Sequence, residues 1–229
     1  VDFSAPGSRR IPEATVARLP LYLRTLLEFI DEGVGTVSSE RLAHATGVNA
    51  AKVRKDLSHL GSYGTRGVGY DPTFLVYQIQ EQLGLNREWR VGIAGFGNLG
   101  RALVNYRGFG ERRFAVRAIF DADPDKIGTE VDGVTVRSVD DIEAVVRHEQ
   151  LLIGIIATPA ASAQRVADLF VAGGATGLLN FAPVVLQVPD NVEVRKVDLS
   201  VELQVLAFYV GRDAANPEGD DERRRPIPT

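Results

Sequence analysis

The chain has no cysteine and no methionine in 229 residues, and only three histidines and one tryptophan. Without cysteine there can be no disulfide framework, no zinc ribbon and no thiol redox switch. No stretch approaches the roughly eighteen consecutive apolar residues of a membrane helix, so neither a membrane span nor a membrane partner is expected. The opening "VDFSAPGSRR" lacks the apolar segment of a secretory signal. A chain that starts at Val1 and holds no methionine reads as trimmed at its N-terminus. These absences point to a cytoplasmic protein. A basic surface is lacking too: the net charge is −4. Residues 41–70 are the exception, with Arg41, Lys52, Arg54, Lys55 and Arg66 against the single acid Asp56. One basic segment in an acidic protein suggests a local polyanion contact, although a solvated face would have the same charge.

Residues 1–10 read as disordered, and so does the charged tail 213–229. Pro12 suits the first turn of a helix, where its missing N–H is not needed; Pro20 ends that helix or starts another, which puts the continuity of the first helix in question. "LYLRTLLEFIDEG" places Leu23, Leu26, Leu27 and Ile30 at helical spacing, with Gly33 as a stop. Ser38 or Ser39 can cap a short helix that Gly47 breaks, and Asn49 can cap a second one carrying Val53, Leu57 and Leu60 on one stripe. Two short helices about a glycine turn form a helix-turn-helix pattern. The second helix leaves Lys52, Arg54, Lys55, Ser58 and His59 off its buried stripe. "GSYGTRGVGYD" follows, a glycine-rich hairpin with Arg66 at its middle. It reads as a wing able to bring an arginine to a narrow minor groove. A helix over 73–83 and a short linker over 84–89 close this first domain, assigned to 11–84.

From Arg90 the pattern becomes strands alternating with helices, the signature of an α/β, doubly wound parallel sheet, here assigned to 85–197. "VGIAGF" and "FAVRAIF" are strands, "GVTVRS" is a short hairpin-like piece, and "LLIGIIA" is apolar throughout, as a strand buried on both faces requires. The first strand runs into Gly95-x-Gly97-x-x-Gly100, through Phe96, Asn98 and Leu99. Gly95 permits the turn, Gly97 lets backbone approach a pyrophosphate, and Gly100 lets the helix pack closely. Asp121, 21 residues after Gly100, can accept hydrogen bonds from both ribose hydroxyls. A 2′-phosphate would meet Asp121, Asp123 and Asp125 with only Lys126 to offset them, which favours NAD(H) over NADP(H).

A dehydrogenase also needs a proton donor or acceptor near neutral pKa. This half offers only His148, late in a helix, and no metal-ligating cluster. The arrangement reads as a site that binds nicotinamide without using it as a reagent. A small NAD-dependent oxidoreductase whose substrate enters between subunits, and a site for coenzyme A or another nucleotide, remain as alternatives. The last element, assigned to 198–212 and opening "DLSVELQVLAFYVG", is apolar on most sides and must be covered, by a second subunit or by its own chain.

With both halves in place the chain resembles the Rex family of redox-sensing transcriptional repressors. The resemblance covers nearly all of residues 11–212. It rests on "IPEATVARLPLYLR", "KVRKDLSHLGSYGTRGVGY", "GFGNLGRAL", "FDADPDKIG", "NFAP" and "DLSVELQ". It implies a homodimer with winged-helix and Rossmann domains and a final helix swapped onto the partner. Such a protein binds pseudo-palindromic double-stranded operator DNA and leaves it when NADH binds; NADH and NAD+ are its sensed ligands, and there is no catalysis. It further implies DNA contacts from Lys52, Arg54, Lys55, Ser58 and Arg66. Cofactor contacts would come from Gly95 to Gly100, Asp121, Thr158, Pro159, Asn180, Phe181 and Ala182. A redox-sensitive cluster of Arg24, Tyr106 and Asp198 would take Asp198 from the partner subunit.

Overall fold

A computed structural model describes residues 11–61, 64–65 and 68–215, without the side chains of 212–215. The expected disorder of 1–10 and 216–229, and the wing arginine Arg66, lie outside the described residues. The chain divides into two compact units, Val1–Glu88 and Trp89–Thr229.

The first unit is helical: α1 (Glu13–Val16), α2 (Leu19–Asp31), α3 (Ser39–Thr46), α4 (Ala50–Leu60) and α5 (Pro72–Gln82). Pro20 sits in the first turn of α2, so the opening helix is in two pieces, and Pro20 begins the second. Of the α2 stripe, Leu23 and Leu26 are buried and Ile30 half-buried, whereas Leu27 is exposed. Ser38 caps α3 by accepting from the Arg41 N–H, and Gly47 ends it in the left-handed conformation (φ 68°). Asn49 then caps α4 through the Ala51 N–H. Val53, Leu57 and Leu60 are all buried among Leu26, Leu42 and Leu75. Beyond α4 the backbone closes an antiparallel bridge between Thr65 and Gly69, and Tyr70 pairs with Val37 ahead of α3. This is the base of the expected wing.

The second unit is a seven-stranded sheet. Its strands are β1 (Trp89–Ala94), β2 (Phe114–Asp121), β3 (Glu130–Val131), β4 (Val134–Ser138), β5 (Ile153–Ile156), β6 (Gly177–Asn180) and β7 (Glu193–Lys196), in the spatial order β3-β4-β2-β1-β5-β6-β7. The sheet is parallel apart from one edge, where the hairpin-like piece read in the sequence pairs β3 antiparallel with β4. Between them Asp132 and Gly133 both have positive φ (48° and 76°), the geometry of a two-residue hairpin turn. Helices α6 (Asn98–Val104) and α7 (Arg107–Glu111) pack on one face; α8 (Ile142–Glu149) and α9 (Ala160–Gly173) cover the other. On that second face the Phe120 and Phe170 rings meet edge to face at 6.0 Å. The final helix α10 (Leu199–Ala215) runs three residues past the expected start of the tail at 213.

Candidate dinucleotide site and nucleic-acid interface

Strand order reverses between β1 and β5, because the chain lays β2 and β4 to one side of β1 and returns to lay β5, β6 and β7 on the other. Ligands of open α/β sheets bind at such a switch point, beyond the carboxyl ends of the strands. The loops after β1 and β5 meet there. Gly95 has φ +98°, and a Cβ on it would lie 2.5 Å from the Ala157 carbonyl oxygen. Gly100, at the start of α6, is closer still: its Cβ would fall 1.9 Å from the Gly95 oxygen. Backbone packing demands both glycines. Gly97 is different, since a Cβ there meets nothing within 4 Å. It borders a cavity of about 730 Å³, within the usual range for a small-molecule site.

That cavity is lined by Gly95, Gly97 and Leu99 from the glycine loop, Asp121 at the end of β2, Lys126 from the turn after it, and Thr158, Pro159 and Phe181 from the turns after β5 and β6. Asp121 Oδ2 accepts from the Phe96 N–H at 2.6 Å and Oδ1 from the Asp123 N–H at 2.9 Å, with Lys126 Nζ 3.4 Å from both. Burial opposes its charge, but these N–H groups and Lys126 outweigh that and hold the carboxyl below its ordinary range. An ionised carboxylate beside Asp123 is suited to accept ribose hydroxyls and to repel a 2′-phosphate. At the far wall Thr158 Oγ1 is buried without a hydrogen-bond partner among the described residues. Buried hydroxyls nearly always find one. The unpartnered hydroxyl and the open space at Gly97 both suit an extended dinucleotide.

Other expected cofactor residues support the loop from behind. Phe96 is buried against Ile119 and Val136, with the Arg101 guanidinium 4.7 Å from its ring centroid. Asn98 begins α6. Asn180 is buried; its Nδ2 donates to the Val184 oxygen and its Oδ1 accepts from the Ala182 N–H, which closes the turn that presents Phe181. Ala182 belongs to the core. Arg165, which sequence reasoning did not single out, also lines the cavity and pairs with Asp140 at 2.6 Å. His148 is exposed beside Glu149 and lines no part of the cavity.

On α4 the side chains of Lys52, Lys55 and Ser58 are exposed. Neither lysine has an ion-pair partner among the described residues. Arg54 is engaged: its Nη1 donates to Ser39 Oγ at 3.0 Å and Glu40 Oε1 at 2.7 Å on α3. Ser58 Oγ donates to the Lys55 oxygen. The residue that sequence reading passed over is Asp56, which is only 2% exposed. Its Oδ1 accepts from Thr15 Oγ1 (2.8 Å) and Arg18 Nη2 (2.7 Å), and its Oδ2 from Arg18 Nε (2.6 Å) and the Tyr22 hydroxyl (2.7 Å). The signal was present, because Asp56 falls three residues after Val53 on the buried stripe of α4.

The three expected switch residues have local partners. Arg24 pairs with Glu28 at 3.3 Å. Tyr106 stacks edge to face on Phe109 (5.2 Å) and lines a second, smaller groove with Phe114 and Val134. Asp198 accepts from Ser200 Oγ at 2.6 Å and lies 3.1 Å from Lys196 Nζ, which hold its carboxyl below the ordinary range.

A helix-turn-helix unit with a lysine-bearing second helix, joined to a Rossmann unit with a cavity at its glycine loop, defines the class: a nucleotide-responsive DNA-binding protein. Comparison with known proteins narrows it. Residues 10–58 match the family described as putative DNA-binding protein N-terminus, and residues 86–184 match the CoA binding domain family. The redox-sensing transcriptional repressor Rex of Streptomyces coelicolor is 56% identical over 223 residues, 97% of this chain and 86% of its own. The crystal structure of RSP in complex with NAD+ and operator DNA has 33% identity and a TM-score of 0.85, covering 92% of this chain and 97% of RSP. That of RSP in complex with NADH gives 32% and 0.83, covering 92% and 99%. The chain belongs to the Rex family of redox-sensing transcriptional repressors, a family of regulators and not of enzymes.

Proposed function

We propose that this chain is a cytoplasmic homodimeric repressor that reads the NADH/NAD+ ratio: it holds a pseudo-palindromic operator until NADH enters the Rossmann cavity. Residues 11–84 form the DNA-reading head, 85–197 the nucleotide domain and 198–212 the dimerising segment. The reading is carried by one combination: a capped second helix with free Lys52 and Lys55, and a glycine-loop cavity whose far wall holds Phe181 and the unpartnered Thr158 hydroxyl. RSP, at 33% identity, supports it by binding NAD+ together with operator DNA.

Gly97 leaves room for the pyrophosphate, Asp121 accepts the ribose hydroxyls, and the turns at Thr158 and Phe181 receive the nicotinamide. The oxidised ring carries a positive charge and the reduced ring does not. Burying an uncompensated cation beside Phe181 is costly, so the closed state prefers NADH. Lys52 and Lys55 contact operator phosphates and base edges, and Arg66 reaches the minor groove from the wing. Helix α10 leaves eight large apolar side chains, from Leu199 to Val210, 47–68% exposed in the single chain. A partner subunit covers them, and Asp198 then reaches the partner's switch region. There Arg24 and Tyr106 take part in the change of state.

Helix-turn-helix dimers need half-sites in register with the protein's symmetry, so a modest rotation of the heads releases DNA. Shifting a dimer from 1:99 to 99:1 requires about 5.5 kcal/mol of differential binding. Two bound NADH molecules share this at under ~3 kcal/mol each, a normal coupling energy. The deciding measurement is operator affinity at fixed salt with NADH, with NAD+ and with neither. NADH is expected to weaken binding strongly and NAD+ little. Equal loss with both nucleotides would refute redox discrimination.

A further inference from the structure

Burying an apolar stripe does not fix the roll of a helix, because the hydrophobic effect is non-directional. For a helix that reads base edges, roll decides which side chains arrive. Helix α4 carries two directional anchors, and their places on its circumference are informative. At about 100° per residue, Arg54 and Asp56 lie roughly 160° apart. One arc between them holds the buried Val53, Leu57 and Leu60; the other holds the exposed Lys52, Lys55 and Ser58. The two polar anchors therefore stand at the two borders of the exposed face.

On one border Arg54 binds Ser39 and Glu40 of α3 at 3.0 and 2.7 Å. On the other Asp56 takes four hydrogen bonds of 2.6–2.8 Å from Thr15, Arg18 and Tyr22, that is, from α1, the turn after it, and α2. Arg18 meets the carboxylate with two nitrogens at once, which fixes angle as well as distance. Asp56 is the one acid in the basic stretch 41–70, and its charge is answered inside the fold.

We infer that Asp56 and Arg54 are positioning residues that set the roll of the DNA-reading helix, with Asp56 acting through Arg18, Tyr22 and Thr15. This rests on the reading of α4 as the operator-contacting helix. Asp56 touches no DNA; it decides which face Lys52, Lys55 and Ser58 present. Loss of the anchor then costs sequence discrimination, not attraction to phosphates, because every exposed lysine is still there.

The test uses the full chain with Thr15→Val, Arg18→Met, Tyr22→Phe and Asp56→Leu combined. This removes the anchor without changing net charge and puts apolar groups in its place, an exchange that buried ion pairs often tolerate without loss of stability. The probes are a duplex selected by the native protein from a random-sequence pool and a scrambled duplex of equal length. If the native protein selects no sequence, the reading of α4 as an operator reader fails first. If it does, the variant is expected to lose at least tenfold in affinity for the selected duplex and less than twofold for the scrambled one. A folded variant that binds the selected duplex within twofold of the native protein overturns the inference, and so does equal loss on both duplexes. Should the fourfold variant not fold, Tyr22→Phe alone decides by the same two affinities. A loss confined to the selected duplex upholds the inference, and no change overturns it.

Discussion

Asp56 in the helical unit and Asp121 in the Rossmann unit are both carboxylates withdrawn from water, at 2% and 8% exposure, yet they are held in opposite ways. Asp121 is held chiefly by main chain: the Phe96 N–H of the glycine loop, 25 residues back, and the Asp123 N–H two residues on, with Lys126 beside them. The main chain fixes it from behind while it still borders the cavity. Asp56 is held by side chains 34 to 41 residues away, and its four bonds leave little capacity for anything else. The first carboxylate is left facing the cavity. The second is used up by the fold.

Five expectations test that contrast, from the largest effect down. Asp56→Ala leaves the Arg18 guanidinium without its partner and should destabilise the helical unit by about 2–4 kcal/mol in chemical denaturation. That is somewhat below the cost for a fully buried pair, because Arg18 keeps 29% of its side chain in water. NADH affinity should stay within twofold. Asp121→Ala should do the reverse, lowering NADH affinity by about 10–100-fold, as for loss of charged hydrogen bonds, while operator affinity without nucleotide is unchanged; calorimetry and DNA titration read the two.

The two glycines sharpen the comparison within the Rossmann loop. Gly100→Ala collides with the Gly95 oxygen and should cost about 1–3 kcal/mol of stability as well as the binding of NADH. Gly97→Ala meets no protein atom within 4 Å. It should leave the melting transition within about 0.5 kcal/mol and weaken NADH by at least about tenfold, or ~1.4 kcal/mol. A Gly97→Ala protein that binds NADH normally would show that no ligand backbone approaches there.

The smallest effect is the pH dependence of the helical unit. Burial opposes ionisation of Asp56, but Arg18, Tyr22 and Thr15 overcome it and hold its folded pKa below the ordinary value. Its stabilisation is therefore complete above the unfolded pKa near 3.9 and lost as pH falls through the lower folded value. Tyr22 titrates the other way. Burial and the neighbouring Asp56 carboxylate raise its pKa, so its contribution is complete below about pH 10 and lost as pH rises further. Denaturation at pH 3.5, 7 and 10.5 should show a plateau with two falling limbs. The fourfold apolar variant should flatten both.

Why the sequence revealed Asp121 and concealed Asp56 follows from the same contrast. Asp121 belongs to a motif in which every relevant spacing is local: strand, glycine turn, helix, strand, acid. The alternation that announces the strands also places the acid at a strand end. The stripe of α4 was equally legible, and Val53, Leu57 and Leu60 are buried as their spacing required. Asp56 occupies the same stripe, but nothing within ten residues says which cation will meet it. Arg54 shows the converse: a basic residue in a basic segment reads as a DNA contact, and only the fold brings Ser39 and Glu40 beside it. Helix α7 escaped notice because "RGFGE" holds two glycines, which weaken any helical signal. The antiparallel β3 was readable from the Asp132-Gly133 pair, the usual sign of a tight hairpin.

One feature of the lone chain bears on how such a protein behaves in a cell. A terminal helix that turns Leu203, Leu206 and Phe208 toward water has apolar surface to hide, and where a second copy hides it, as proposed above, stability is tied to abundance by mass action. Dilution should loosen the protein before any nucleotide arrives. On that reading, a cell that doubles the dose of this chain changes the fraction of molecules able to grip DNA as well as their number.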